Sequence, residues 1–425
     1  MPGGLTPDLG DPAALEALFR PAASHKAIGL AVSGGPDSLA LMLLAQRWAE
    51  SLGASAPRFI VYAVDHQLRP EAADEVAMVA RHAAELGLSF RGLTWTGDKP
   101  SSGLQEAARQ ARYGLIRDAM AAEGVDLLLT AHHRADQAET VLMRLAHGSG
   151  MEGLKGMSAR SMVDGLDLFR PLLDVEPAAL ARIVEAAGWQ AAQDPSNTDT
   201  DYERVRWRKL LPALAAEGLD AATLSRFAQR MGEADRALAD LTDAAFAEMV
   251  QLDGFGAASL PGKDLLALSP AIGRRLLARI VNIVGGRQKP HALGQVERLY
   301  EQLETEGLAR GVTLLGAIVR KRGDALTISR EPGRALPPDR GLAPGQHLVW
   351  DERFLIRNVS SSAGLVAGAA DFMPRHRIEE VLGFRVTSPS EAIRTAPLVR
   401  DAEGGVLALG GWSFDERITV QLLID

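Results

Sequence analysis

Cysteine is absent from all 425 residues. Without thiols the chain forms no disulfide, holds no thiolate zinc or iron–sulfur cluster, and uses no cysteine nucleophile. No stretch approaches the roughly eighteen uninterrupted apolar residues of a membrane span, and residues 1–26 lack the basic-then-apolar order of a secretory signal. A cytoplasmic protein with no membrane contact is expected. Net positive charge is missing too. The formal charge is −8, and affinity for a phosphate backbone comes from a basic footprint, so any nucleic-acid surface has to be a local one. Neither an internal repeat nor a low-complexity tract is present. What remains is 47% apolar and 24% charged residues, the mixture of a globular protein with real cores, in a chain long enough for two or three domains.

The most telling residues are Ser33-Gly34-Gly35-Pro36-Asp37-Ser38. They follow the apolar run Ala27-Ile28-Gly29-Leu30-Ala31-Val32 and precede Leu39-Ala40-Leu41-Met42-Leu43-Leu44-Ala45, so they sit where a strand turns into a helix. Two glycines let successive N–H groups converge on one concavity, and the open amides of the new helix add roughly half a positive charge. Pro36 suits a first helical turn, where no N–H is needed. No lysine follows the glycines, so this is not the lysine-containing phosphate loop of the P-loop nucleotidases. A plain Gly-rich turn accounts for the glycines alone. Asp37, available for a metal, and two hydroxyls that reach phosphate favour an anion cup.

Residues 27–173 alternate short apolar runs with helix-length segments, the pattern of a parallel sheet covered on both faces. Strands are predicted at 27–32, 59–64, 89–94, 126–130 and 166–169, and helices at 36–52, 71–86, 104–122, 136–146 and 177–187. Ligands bind such sheets beyond the carboxyl ends of the strands, where Ser33, Asp65, Trp95 and His132 fall. From 221 to about 303 the apolar residues recur at helical spacing, broken at Gly285-Gly286. Residues 311–320 and 325–330 alternate like two strands around Lys321-Arg322-Gly323-Asp324. Residues 331–345 read as a linker, and 347–359 and 405–411 as short strands. The expected architecture is an α/β domain with a doubly wound parallel sheet (1–215), a mainly helical domain (216–332) and a small β-rich C-terminal domain (333–425).

Several clusters carry chemistry, each with a structural explanation beside the functional one. Asp136 and Glu139 share a helix face. A capping box with Asp136 as N-cap explains them locally, whereas two carboxylates facing an amine explain them chemically. His132 and His133 are adjacent, so their side chains diverge, and with no third ligand at metal-site spacing one of them facing phosphates or a nucleobase is expected instead. Asp65 and His66 end the second strand, as a nucleotide contact or an Asx turn. Arg109 and Arg112 lie on a helix where solvated charges are common. The glycine-spaced stretch 148–157 is either a helix stop or a site loop. Arg204, Arg206, Arg208 and Lys209 place four cations in six residues beside Tyr202 and Trp207, suited to gripping phosphate or stacking on a base.

Ser-Gly-Gly-x-Asp-Ser after a first strand is the signature of the PP-loop ATP pyrophosphatases, which cleave ATP between its α and β phosphates and leave a substrate adenylated. Val64-Asp65-His66-Gln67-Leu68-Arg69, then His132-His133-Arg134-Ala135-Asp136-Gln137-Ala138-Glu139-Thr140, then Gly148-Ser149-Gly150-Met151-Glu152-Gly153-Leu154 follow in the order and spacing of the tRNA(Ile)-lysidine synthetases. The chain resembles that family over residues 27–210, weakly as far as Arg330-Glu331, and little after 345.

The resemblance implies an ATP site of Ser33, Gly34, Gly35, Pro36, Asp37, Ser38, Asp65 and His132, with Mg²⁺ on Asp37. It implies catalysis by Asp37, Arg112, Asp136 and Glu139, L-lysine held by Asp136, Glu139 and Arg204, and tRNA(Ile) with a CAU anticodon held by Arg204, Arg206, Arg208 and Lys209. The general base for the lysine amine stays unassigned, and a homodimer stays open. The later domains would grip the tRNA body. Two departures stand out: Val205 replaces the family's usual Asn, and His147 its usual Arg. The absence of cysteine sets aside the related tRNA thiolases. A small-molecule ligase of the same fold, such as an NAD synthetase, is the alternative, and a tRNA-binding module without catalysis is a second.

Overall fold

Near-continuous apolar runs make strands that must be covered on both faces, and the N-terminal part of the chain is built on that requirement. The computed structural model describes residues 8–100, 102–192, 199–286, 293–305, 308, 310–333 and 336–424. It divides into two compact units, Met1–Asp235 and Arg236–Asp425. In the first, β1 (Ala27–Ala31), β2 (Arg58–Asp65), β3 (Ser89–Thr94), β4 (Leu127–Leu129), β5 (Arg160–Val163) and β6 (Leu166–Phe169) form one sheet in the order β3-β2-β1-β4-β6-β5. All neighbours run parallel except β5 against β6.

Residues alternate between the two faces of each strand. Phe59, Val61 and Ala63 of β2 therefore pack with α1 (Pro12–Phe19), α2 (Pro36–Leu52) and α3 (Ala72–Glu85), while Ile60 and Tyr62 pack with Tyr113, Ile116 and Met120 of α4 (Leu104–Glu123). After α5 (Arg134–Ala146) and the short α6 (Met151–Leu154), α7 (Pro177–Ala186) returns to the α2 face. Helices α8 (Glu203–Ala216) and α9 (Ala221–Met249) cover α5 through Leu142, Leu214, Leu224 and Ala228. The chain runs outward from β1 to β3, then crosses to β4 and β6. The order thus reverses between β1 and β4, which puts the ligand crevice at their carboxyl ends.

The five expected strands and the doubly wound parallel sheet are present. The sixth strand, β5, is an addition at the edge, joined to β6 by Asp164-Gly165 at φ 50° and 80°. That dipeptide is the legible hairpin signal. The turn-rich residues Asp194-Pro195-Ser196-Asn197 lie outside the described residues.

In the second unit, β7 (Gln251–Leu252), β8 (Ala258–Pro261), β9 (Val312–Leu314), β10 (Ala317–Arg322) and β11 (Ala325–Arg330) make an antiparallel sheet in the order β7-β8-β11-β10-β9. Helices α10 (Gly262–Ala267), α11 (Pro270–Gly285) and α12 (Leu293–Thr305) accompany it, and α11 and α12 bury Leu276, Ile280, Val284 and Tyr300 against it. The single strand expected over 311–320 is two, because Leu315 and Gly316 both turn left-handed (φ 52° and 80°) and fold β9 back on β10. Strands β7 and β8 interrupt the helical stretch, where the Asp253 carboxylate gathers the N–H groups of Phe255 and Ala257. Part of the expected linker, Arg340–Leu342, is a strand paired with Leu365–Ala369. Residues 340–422 form a five-stranded and a three-stranded sheet with two short helices. Among the described residues no helix is long and apolar enough to cross a membrane.

Trp48 anchors α2: it is fully buried, its ring stacks on Phe19 with centroids 5.2 Å apart, and its Nε1 donates to Glu16 at 2.6 Å. Trp48→Ala is expected to destabilise the chain by about 3–5 kcal/mol, whereas Trp48→Phe, which keeps the stack, costs less. Urea unfolding of the full chain measures both.

Candidate active site

The site begins where β1 ends. Val32 still pairs with the sheet, its N–H donating to Tyr62 at 2.9 Å. Gly34 then takes φ +87°, a left-handed conformation that favours glycine, and an added Cβ would press on Met78 Cε at 3.0 Å. At Gly35, the N-cap of α2, an added Cβ would meet only Ser33 Oγ at 3.7 Å, so this side of the turn is open. No side chain caps the helix, which leaves its first amides to an anion. Ser38 braces the turn internally, donating to Gly35 O at 2.9 Å and accepting from Ser33 N at 3.2 Å. The loop is also fastened from outside, as Ala192 N donates to Gly34 O at 2.9 Å. Ser33 and Pro36 are exposed, and Asp37 sits half-buried in the first turn.

His133, weighed in the sequence beside His132 but left out of the implied site, joins this loop to the acidic helix. His133 is buried and serves as N-cap of α5. Its Nε2 lies 3.4 Å from Asp37 Oδ2 on one side, and its Nδ1 lies 3.5 Å from Asp136 Oδ2 on the other. A capping box is present, but three residues earlier than the one expected from Asp136 to Glu139: His133 N donates to Asp136 Oδ2 at 3.0 Å while His133 Nδ1 accepts from Asp136 N at 3.3 Å. Burial opposes the imidazolium. The bond to Asp37 and the fields of Asp136, Asp37 and Glu139 outweigh it and raise the histidine above its ordinary value. Asp136 answers in kind: burial opposes its charge, but His133, Arg204 and the accepted N–H hold its carboxyl below the usual range.

Asp136 and Glu139 lie on one face of α5, as expected, yet their surroundings differ. Asp136 Oδ1 faces Arg204 at 3.7 Å and Arg208 at 3.9 Å, beyond hydrogen-bond distance. Glu139 is wholly buried, and both its oxygens are taken: Oε2 accepts from Arg204 Nε at 2.8 Å and Oε1 from Arg208 Nε at 2.6 Å. Arg204 and Arg208 are four residues apart on α8 and so point the same way. The four cations of this segment therefore do not form one surface. Arg206 is exposed and donates to the carbonyls of Thr200 and Asp201 at 3.0 and 2.9 Å, and Lys209 is exposed as well. Val205, in place of the family's Asn, is buried in the helix packing.

Two further histidines border the crevice. His132 is held by Thr130 Oγ1 at 2.9 Å, and burial, with Arg170, Arg204 and Arg109 nearby, pushes its pKa down to about 4. His66, just past β2, accepts from Arg112 Nε at 3.4 Å; burial and that guanidinium lower it to about 4. Both are neutral at pH 7. Asp65 forms the Asx turn, its Oδ1 accepting from Gln67 N at 2.7 Å, and keeps its other oxygen. Arg109 stacks over Tyr113 at 5.0 Å. The glycine-spaced loop is fixed to α5: Gln137 exchanges bonds of 2.9 and 2.7 Å with the Met157 backbone, and Arg144 donates to Gly153 O and Gly156 O at 2.8 and 2.6 Å. His147 pairs with Glu203 at 3.2 Å.

Among the described residues no three His, Cys, Asp or Glu side chains gather as a metal cage. The donor set suits a different mode of binding. Mg²⁺ keeps several waters and takes one or two carboxylates plus substrate phosphates, and Asp37, its side chain 34% exposed in the first turn after the anion cup, is such a carboxylate.

The comparisons with known proteins agree with this geometry. The PP-loop domain family model matches residues 11–214. A tRNA(Ile)-lysidine synthase of Rhodopseudomonas palustris is 46% identical over 327 residues, which is 75% of this chain and 94% of that protein. One from Bradyrhizobium diazoefficiens is 43% identical over 346 residues, 76% of this chain and 95% of that one. One from Methylobacterium nodulans is 46% identical over 312 residues, 72% of this chain and 90% of that one. Each match is longer than the first compact unit, so the likeness does not stop at the phosphate-loop domain. The chain belongs to the tRNA(Ile)-lysidine synthase family.

Proposed function

We propose that the chain ligates L-lysine to carbon 2 of the cytidine at the first anticodon position of tRNA(Ile) with a CAU anticodon, at the expense of ATP. The observation that carries this reading is the chain of contacts Asp37–His133–Asp136, which ties an uncapped glycine cup to a carboxylate facing the same crevice. A triphosphate site and an amine site that close together suit a reaction in which one substrate is first adenylated and then aminated.

In the first step the cytidine 2-oxo oxygen attacks the α-phosphorus of ATP and pyrophosphate departs. The backbone N–H groups of Gly34, Gly35, Asp37 and Ser38 and the Ser33 hydroxyl hold the phosphates, with Ser38 Oγ bracing the turn and Asp65 and His132 bordering the nucleotide. Asp37 would hold Mg²⁺, which when bound would supply charge neutralisation on the phosphates. In the second step the lysine ε-nitrogen, having lost a proton, attacks carbon 2; the carbon–oxygen bond to the phosphate breaks, AMP leaves and lysidine remains. Asp136 Oδ1 is the open acceptor for the ammonium. Glu139 acts through Arg204 and Arg208, whose guanidiniums it holds over the crevice. Arg112 offsets charge on the reacting phosphate. Positioning and electrostatics supply most of the acceleration.

The target base leaves its stack to reach the crevice, which an anticodon-loop base does readily. Arg206 and Lys209, exposed on α8, face the RNA with Arg204 and Arg208 behind them. Residues 1–215 form the catalytic domain in this reading, and 216–332 and 333–425 hold the tRNA body. The setting is the cytoplasm.

Labelled lysine, ATP, Mg²⁺ and CAU-anticodon tRNA test the whole reading. Label is expected in isoleucine tRNA and not in methionine tRNA; ATP turnover without RNA would instead mark a small-molecule ligase. Asp37→Ala should lower tRNA-dependent pyrophosphate release by about 100-fold or more while tRNA affinity stays within about twofold. Unchanged release would remove Asp37 from the mechanism. Asp136→Asn should raise the lysine KM about tenfold, because the ammonium then faces a neutral amide instead of a carboxylate, and leave pyrophosphate release near the wild-type rate. A normal lysine KM would place the ammonium elsewhere.

A further inference from the structure

We infer that Trp189, stacked on His82, is a positioning residue for the glycine cup. It holds a strap, residues 189–192, whose Ala192 N–H fixes the peptide between Gly34 and Gly35 with that peptide's own N–H turned into the cup. This rests on the reading above that the cup takes the phosphates of ATP, and it says what keeps the cup in its binding form.

Two glycines in succession leave the peptide between them little resistance to turning over, because neither carries a Cβ to restrict the rotation on its side. That peptide is trans, so its carbonyl and its N–H point in opposite directions. In one orientation Gly35 N–H faces a bound anion. In the other the Gly34 carbonyl oxygen faces it, and a phosphate is repelled. The structure has the first: Ala192 N donates to Gly34 O at 2.9 Å, which directs Gly35 N–H away from the strap. The turn is open around Gly35, where an added Cβ would meet only Ser33 Oγ at 3.7 Å. Among the described residues no protein group accepts from Gly35 N–H, as suits an amide that an anion takes up.

The bond from Ala192 depends on where its donor is held. Residues 189–192 belong to neither helix nor strand, so no backbone ladder fixes them. The strap starts where α7 stops at Gly188, with φ 70° and Trp189 N donating back to Val184 O at 3.2 Å. Trp189 then lays its indole on the His82 imidazole, the centroids 3.9 Å apart and the planes 19° from parallel. His82 Nδ1 lies 3.1 Å from Glu85 Oε2, which steadies the ring. Trp189 and Ala191 also pack on the core shared by α2 and α3.

Helix α3 presents one face to both the strap and the turn. Met78, Val79 and His82 are three and four residues apart and so lie together. A Cβ on Gly34 would stand 3.0 Å from Met78 Cε, 3.6 Å from Val79 Cγ2 and 3.5 Å from Ala192 Cβ. The helix that supports Gly34 thus also carries the ring that anchors Trp189. Neither ring of the stack belongs to the cup; both act on it through Ala192.

Four variants of the full chain test this. Trp189→Ala and His82→Ala remove the stack, whereas Trp189→Phe and His82→Phe keep two flat rings together. Both His82 variants lose the contact with the exposed Glu85, so it cancels between them. Titration calorimetry with Mg²⁺ reads the affinity for ATP and for adenosine, a probe without phosphates, and lysine incorporation reads the lysine KM. Each alanine variant should weaken ATP about tenfold, with adenosine affinity and lysine KM within about twofold of wild type. The double alanine variant should lose no more than about the larger single loss, since either change alone breaks the stack. The phenylalanine variants should bind ATP within about threefold of wild type. The inference is overturned if the alanine variants bind ATP normally, if adenosine or the lysine KM suffers as much as ATP, or if His82→Phe loses as much as His82→Ala. Should Trp189→Ala fail to fold, the two His82 variants still decide. Wild-type chain that incorporates no lysine would overturn the ligase reading, whereas normal incorporation with insensitive variants overturns only this assignment.

Discussion

The imidazole of His133, placed between Asp37 and Asp136, is the contact on which the site depends. It reaches the first turn of α2 from the first turn of α5, two helices that start from the neighbouring strands β1 and β4. Those strands flank the point where the sheet order reverses. A buried histidine alone would be pushed towards neutrality; two carboxylates, one from each helix, reverse the outcome. The ring also has two ways to satisfy its inner nitrogen. Neutral, Nδ1 accepts the Asp136 amide at 3.3 Å; protonated, it turns its hydrogen to the carboxylate oxygen at 3.5 Å. The helix start survives in either state, because His133 N still donates to Asp136.

Glu139 shows the second constraint. A carboxylate with no exposed surface requires charged partners, and Arg204 and Arg208 supply them from a helix more than sixty residues further on. Such a buried arrangement need not add net stability, since desolvating the charges offsets their attraction. What it does is hold two guanidiniums, each nearly half exposed, at defined positions beside Asp136. A segment that reads as one basic patch is thereby split, with one pair of cations turned into the crevice and the other outward.

Much of the fold is legible because its causes are local. The buried strands are short apolar runs; α2 begins at Pro36 and ends against Gly53; and the phosphate loop needs Gly34 at a positive φ within six residues of chain. The second unit is less legible. Leu315 adopts a left-handed conformation without being glycine, so the turn that divides β9 from β10 carries only half of the usual signal. Strands β7 and β8 are two and four residues long; β8 gains its pairing from β11, some sixty residues later, and β7 pairs with β8.

By itself the sequence determined the PP-loop architecture, the glycine turn between β1 and α2 and the family, since each is written in contiguous residues whose backbone preferences and order along the chain are enough. Only the tertiary structure decided which histidine of the adjacent pair faces Asp37, which of the two carboxylates keeps an open oxygen, and which cations turn inward. Adjacent side chains on a loop point apart, and residues on one helix face differ only in what packs against them. Long-range packing, not local spacing, settles such choices.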